Sequence, residues 1–83
     1  MSGTHLGLYR GVVEEGADPA ARGRVLVSVP AVLGGALRRA ERSVDRPGAV
    51  EPLAAGTAVW VQFEDGDADR PVVVGCVPGP PEP

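Results

Sequence analysis

A small all-β barrel of five short strands is the fold class this sequence predicts, and three observations predict it. Valine-rich segments alternate with a period of two. Glycine, proline and aspartate clusters interrupt the chain at short intervals, as turns between short strands require. The one stretch with helix-forming composition, ALRRAERSV at 36–44, lacks the apolar stripe that would bury one face of a helix. Strands of this length with such turns fit a closed antiparallel sheet better than alternating strand–helix units.

Residues 7–15, GLYRGVVEE, form the first strand candidate, interrupted at Gly11. Gly16-Ala17-Asp18-Pro19 follows as a turn, since proline presets φ and aspartate hydrogen-bonds nearby backbone. Residues 23–29 are the clearest strand, with Val25, Val27 and Val29 on one face and Arg24, Leu26 and Ser28 on the other. Pro30 closes it, having no N–H for a ladder. Residues 57–63 place Val59, Val61 and Phe63 on the core face and Ala58, Trp60 and Gln62 opposite. The acidic loop 64–70 leads to a further strand at 71–77, opened by Pro71 and relaxed at Gly75. Within 31–56 the expectation is a short strand or turn inside 37–44, then loop to Gly56, with a short helix as the alternative. The organisation is thus a flexible lead-in at 1–6, a barrel over 7–77 and an extended proline-rich tail at 78–83.

A chain of 83 residues supports only a small core, so disulfides, metals or partners are the usual reinforcement. One cysteine, Cys76, rules out an internal disulfide, and with one histidine, His5, it cannot build a four-ligand zinc site. Docking into a larger assembly is then the expected support. Eight basic residues, all arginine, face eleven acidic ones for a net charge of −3. That balance lacks the basic footprint of a nucleic-acid binder. No apolar run is long enough to span a membrane, and no signal pattern opens the chain. Synthesis in the cytoplasm is the expectation.

Enzymatic chemistry fails on inventory. Cys76 lies in an apolar strand, where a thiol is expected to be a small core group with no activating partner. Paired carboxylates occur only in loops, and no phosphate-binding glycine loop is present. The run Asp65, Asp67, Asp69 suggests a calcium loop, yet Arg70 and Cys76 stand where that loop needs glycine and glutamate. No catalytic residue, metal ligand or cofactor is therefore assigned.

The order of motifs resembles a known family. GLYRGVVEEGADPAARGRVLVSVP at 7–30 and PLAAGTAVWVQFEDGDADRPVVVG at 52–75 are similar to the N-terminal OB domain of phage baseplate assembly protein V. Tail-spike proteins and the valine-glycine-repeat spikes of type VI secretion share that domain. Such domains show a G-x-V strand, an aspartate-proline turn, G-R-V-x-V-x-V-P, a proline-to-glycine turn, V-x-V-x-F, an acidic G-D loop and R-P-V-x-x-G. The resemblance implies a five-stranded antiparallel OB-like barrel with a structural role in a phage tail, baseplate or contractile injection system. It implies baseplate, hub or spike proteins as partners, a homotrimer, and assembly into a virion tail or injection particle. Two departures narrow this. The family's middle-segment tryptophan is missing, and no needle follows Pro83, which points to a hub or adaptor instead of a piercing tip. The alternative for an OB barrel is single-stranded nucleic-acid binding, for which Tyr9, Trp60 and Phe63 supply few stacking rings.

Two groups of site residues follow. Trp60, on the outer face, with Arg22 and Arg24, is the expected interface. Asp18, Gly23, Gly66, Asp67 and Arg70 are expected to lock the loops, with Asp67–Arg70 as the pairing.

Overall fold

Alternating valines build the wall of the barrel, as their spacing requires. The computed structural model describes residues 4–20, 22–44, 48 and 51–79. Five strands run in the order β1 (Tyr9–Glu15), β2 (Val25–Ser28), β3 (Leu37–Arg42), β4 (Ala58–Phe63) and β5 (Pro71–Cys76). They close into a barrel with neighbours β1-β2-β3-β5-β4. Four of the five pairings are antiparallel. The expectation of a wholly antiparallel sheet is corrected at β3–β5, which is parallel through Glu41↔Val72 and Arg42↔Val73. Closure demands it, because the long connection carries the chain from β3 across the barrel before the β4–β5 hairpin returns.

Inward residues are almost all valine. Val13, Val25, Val27, Val29, Val59 and Val61 are fully buried, joined by Ala40, Val73 and Phe63. β-branched side chains suit this site, since their stiff χ1 packs well on a pleated surface. Tyr9 meets Phe63 edge-on at a centroid distance of 5.7 Å, covering one end of the core. Gly11 does not interrupt β1. The strand runs through it, and the glycine faces the core. A Cβ there would lie 2.8 Å from the Ser28 carbonyl oxygen and 3.1 Å from Val61 Cγ2, so only glycine lets β1 coil this closely.

The middle stretch contains both a helical turn and a strand. Pro30–Leu33 forms a single helical turn, α1, begun by proline where the missing N–H costs nothing. ALRRAERSV then supplies β3, because tertiary pairing on both sides overrides its helical composition. Only Ala40 of β3 is fully buried, opposite Val25. The small side chain explains why the strand's periodicity is faint in the sequence. Two bulges finish the wall. Glu14 is the extra residue between Val13 and Glu15 on β1, and Val74 is extra on β5, between the Trp60↔Gly75 and Val61↔Val73 pairs. The proline-rich tail lies outside the described residues from Pro80 onward, as do residues 1–3 of the lead-in.

Candidate interaction surface

Three features on the barrel could do work beyond holding it together. The first is the outer face of β1, β4 and β5. Trp60 stands opposite Arg10 on one side and Gly75 on the other. The Arg10 guanidinium lies over the indole, 4.7 Å from the ring centroid. Such a contact contributes about 0.5–1 kcal/mol at an exposed site and presents a cation beside an apolar plate. Among the described residues Arg10 pairs with no carboxylate. Across the indole, a Cβ on Gly75 would meet nothing within 4 Å, so that side of Trp60 faces open space. Val74, the extra residue of the bulge, is 38% exposed next to Gly75. Trp60 is half-buried on this outer face.

The second feature is the β1–β2 loop, organised around Asp18. Its carboxylate accepts from the backbone N–H of Ala20 at 2.9 Å, Arg22 at 3.3 Å and Arg24 at 3.2 Å. Arg24 adds Nε at 2.9 Å and Nη2 at 3.4 Å. The side chain of Asp18 is only 3% exposed, against 29% for Arg24. The Arg24 guanidinium, followed by two backbone donors, holds the Asp18 carboxyl far below the usual carboxylate range despite its burial. Gly23 takes φ +75°, which lets Arg24 turn back onto the acid. Arg24 therefore serves the loop lock, whereas Arg22 is exposed and gives Asp18 only its backbone N–H.

The third feature is the β4–β5 connection, Glu64–Gly66 and onward to Arg70. The expected Asp67–Arg70 side-chain pair is not what forms. Arg70 reaches Glu64 at 2.9 Å and Asp65 at 3.7 Å. Glu64 and Arg70 face each other across the hairpin mouth, where the Glu64 N–H donates to the Arg70 carbonyl at 2.9 Å. Asp67 sits at the tip, its carboxylate taken by the Asp69 N–H at 2.9 Å in an Asx turn. Gly66 adopts φ +73° and is buried. A side chain there would collide with Thr4 and with the His5 nitrogen, because the His5 N–H donates to the Gly66 carbonyl at 3.0 Å. The lead-in from Thr4 is thereby laid against the hairpin. Asp69 in turn accepts from Arg38 Nε at 3.1 Å, joining this connection to β3 ahead of their parallel pairing.

A hollow of about 400 Å³ opens beside these loops, lined by Arg24, Arg39, Glu41, Glu64, Asp69, Arg70 and Pro71. Its three arginines meet three acids, so it has no surplus positive charge to draw a phosphate backbone. Among the described residues no group of three metal-ligating side chains comes together.

The chain forms a closed five-stranded barrel with one parallel β3–β5 pair, and a family model matches residues 9–77. The chain belongs to the type VI secretion system/phage-baseplate injector OB domain family. No curated protein matches it. The injector OB family is one of structural baseplate and spike domains, with baseplate and spike assemblies as its setting. No helix among the described residues is long and apolar enough to cross a membrane.

In this injector OB domain, Cys76 departs from the expectation of a core thiol. It is exposed, because the Val74 bulge breaks the alternation of β5 just before it. Arg10, Val74 and Gly75 join Trp60 on one surface, yet sequence reasoning named only Trp60. The missing signal is the β1–β4 and β4–β5 register, which local periodicity does not contain.

Proposed function

We propose that this injector OB domain is a non-catalytic module that acts by shape, joining baseplate, hub or spike subunits as a hub or adaptor. The observation that carries the reading is the family match over 9–77 together with an outer face bearing Trp60, Arg10 and Val74. Tryptophan and arginine are the residue types most often found at binding hot spots. Tight, hydrogen-bonded loops at 18–24 and 64–70 hold that face on a fixed frame.

The chemistry inventory supports a structural role. His5 sits near Phe63, with ring centroids 6.0 Å apart, while Cys76 pairs with Val59. Four residues along β4 separate those positions by about 13 Å, so the two cannot act as a nucleophile and its base. The function needs no cofactor. The homotrimer and the assembled tail or injection particle belong to the same proposal.

Co-purification with tail, tube or hub proteins is the direct test. The expected result is retention by such partners and none on single-stranded DNA or RNA at low salt. Retention on nucleic acid without any baseplate partner would favour the single-strand binding reading instead. Light scattering on the purified chain is expected to give three times the chain mass. A monomer at high concentration would remove the trimer while leaving the adaptor role to the partner experiment.

A further inference from the structure

The ladder between β3 and β5 stops short, and one residue stops it. The two strands pair only at Glu41↔Val72 and Arg42↔Val73. Just beyond, the Ser43 N–H donates to the Val73 carbonyl at 2.9 Å. Backbone polar groups alternate sides along a strand, so Glu41, Arg39 and Leu37 turn theirs the same way as Ser43, away from β2. One further step of the ladder would need an N–H at position 71 for the Arg39 carbonyl, and Pro71 has none. Among the described residues neither the N–H nor the carbonyl of Arg39 has a backbone partner. The Leu37 carbonyl is met only by a side chain, Arg38 Nη1 at 3.0 Å. An unpaired edge of this kind is a template for another chain.

This bare edge borders the charged hollow, which Arg39 and Pro71 both line. The charges there narrow the occupant. Arg24 is bound to Asp18, Arg39 reaches Glu15, Arg70 reaches Glu64, and Asp69 holds Arg38. Among the described residues Glu41 is the one charged group of the lining without an ion pair. A second copy of β3 does not suit the edge. The open groups are those of Arg39, so two copies would pair with Arg39 opposite Arg39, and like charges directly opposite are destabilising. We infer that residues 37–39 and the hollow beside them take an extended segment of a partner protein as an added strand, with a lysine or arginine of that segment meeting Glu41. Main-chain hydrogen bonds to Arg39 supply the hold, and the Glu41 contact selects the sequence. The inference rests on the adaptor reading and names the chemistry by which that partner is bound.

Amide exchange and a proline substitution test it. In the free chain the Arg39 N–H should exchange fast, while those of Arg38 and Ala40, turned toward β2, are protected. In the complex with a co-purified baseplate, hub or spike protein, Arg39 exchange should slow by about tenfold or more. Arg39→Pro removes that N–H without touching the β2 ladder, as proline at an open edge allows. It should fold and lose the partner, whereas Arg39→Ala, which deletes the same side-chain contacts, should keep it. Glu41→Lys should weaken retention further than Glu41→Gln. If Arg39→Pro does not fold, the exchange comparison decides alone. An Arg39 amide already protected in the free chain overturns the inference, and so does one that still exchanges fast in the complex. Equal retention of folded Arg39→Pro and Arg39→Ala also overturns it, while leaving the adaptor reading in place. A parent chain that retains no such partner removes the adaptor reading, and this inference with it.

Discussion

Asp18 shows how one side chain can organise a loop. It gathers three backbone N–H groups and the Arg24 guanidinium around a carboxylate almost shut off from solvent. Because its folded pKa lies below the ordinary 3.8, the charged form binds the fold more strongly than the unfolded chain. Its stabilising share is therefore complete above that ordinary value and is lost as pH falls below it toward the folded value. Asp18→Asn should lower the denaturation midpoint at pH 7, and the gap from the parent should narrow as pH drops below about 4. A gap independent of pH would show that the charge at this position is immaterial. Gly11 is the second decisive residue. Gly11→Ala pushes a methyl against the Ser28 carbonyl, and chemical denaturation should reveal a loss of about 1–3 kcal/mol.

Elements differ in how much of their stability is local. The β4–β5 connection is held mainly by backbone hydrogen bonds from Glu64, Asp67 and Arg70, while its ion pairs are exposed. Arg70→Ala should therefore cost no more than about 1 kcal/mol. By contrast, β3 depends on its neighbours, since it buries only Ala40 and pairs with β2 and β5. Ala40→Asp places an unpaired carboxylate against Val25 and should prevent folding, seen as loss of dispersed amide resonances. A dispersed spectrum would mean that β3 can detach while the other strands remain folded.

The whole molecule joins a small valine core to a surface arranged by barrel closure. Closure brings Arg10 of β1 and Gly75 of β5 to the two sides of Trp60. Trp60→Ala removes the Arg10 stack and should lower the unfolding free energy by about 0.5–1 kcal/mol through that contact while leaving the barrel folded. It should still reduce co-purification with baseplate partners, and undiminished retention would remove Trp60 as an anchor. Screening is expected to act the same way on the Arg10 side of the face, so retention should weaken as salt rises.

The chain's own order of residues determined the strands at 9–15, 25–28, 58–63 and 71–76 to within a few positions. It also determined their inward valines and the turn chemistry of Asp18, Gly23 and Gly66. Those features are local, set by period-two alternation and by the dihedrals that proline, glycine and aspartate allow. The strand at 37–42 was legible only as one of the strand, turn or helix readings of that stretch, and tertiary structure alone decided among them. It likewise decided that β3 and β5 run parallel and that Arg70 chooses Glu64 over Asp67. It also decided that a bulge precedes an exposed Cys76 and that Gly75 and Arg10 flank Trp60. Each of these depends on register between strands distant in sequence, where a one-residue shift exchanges inside for outside and leaves no local trace in the chain.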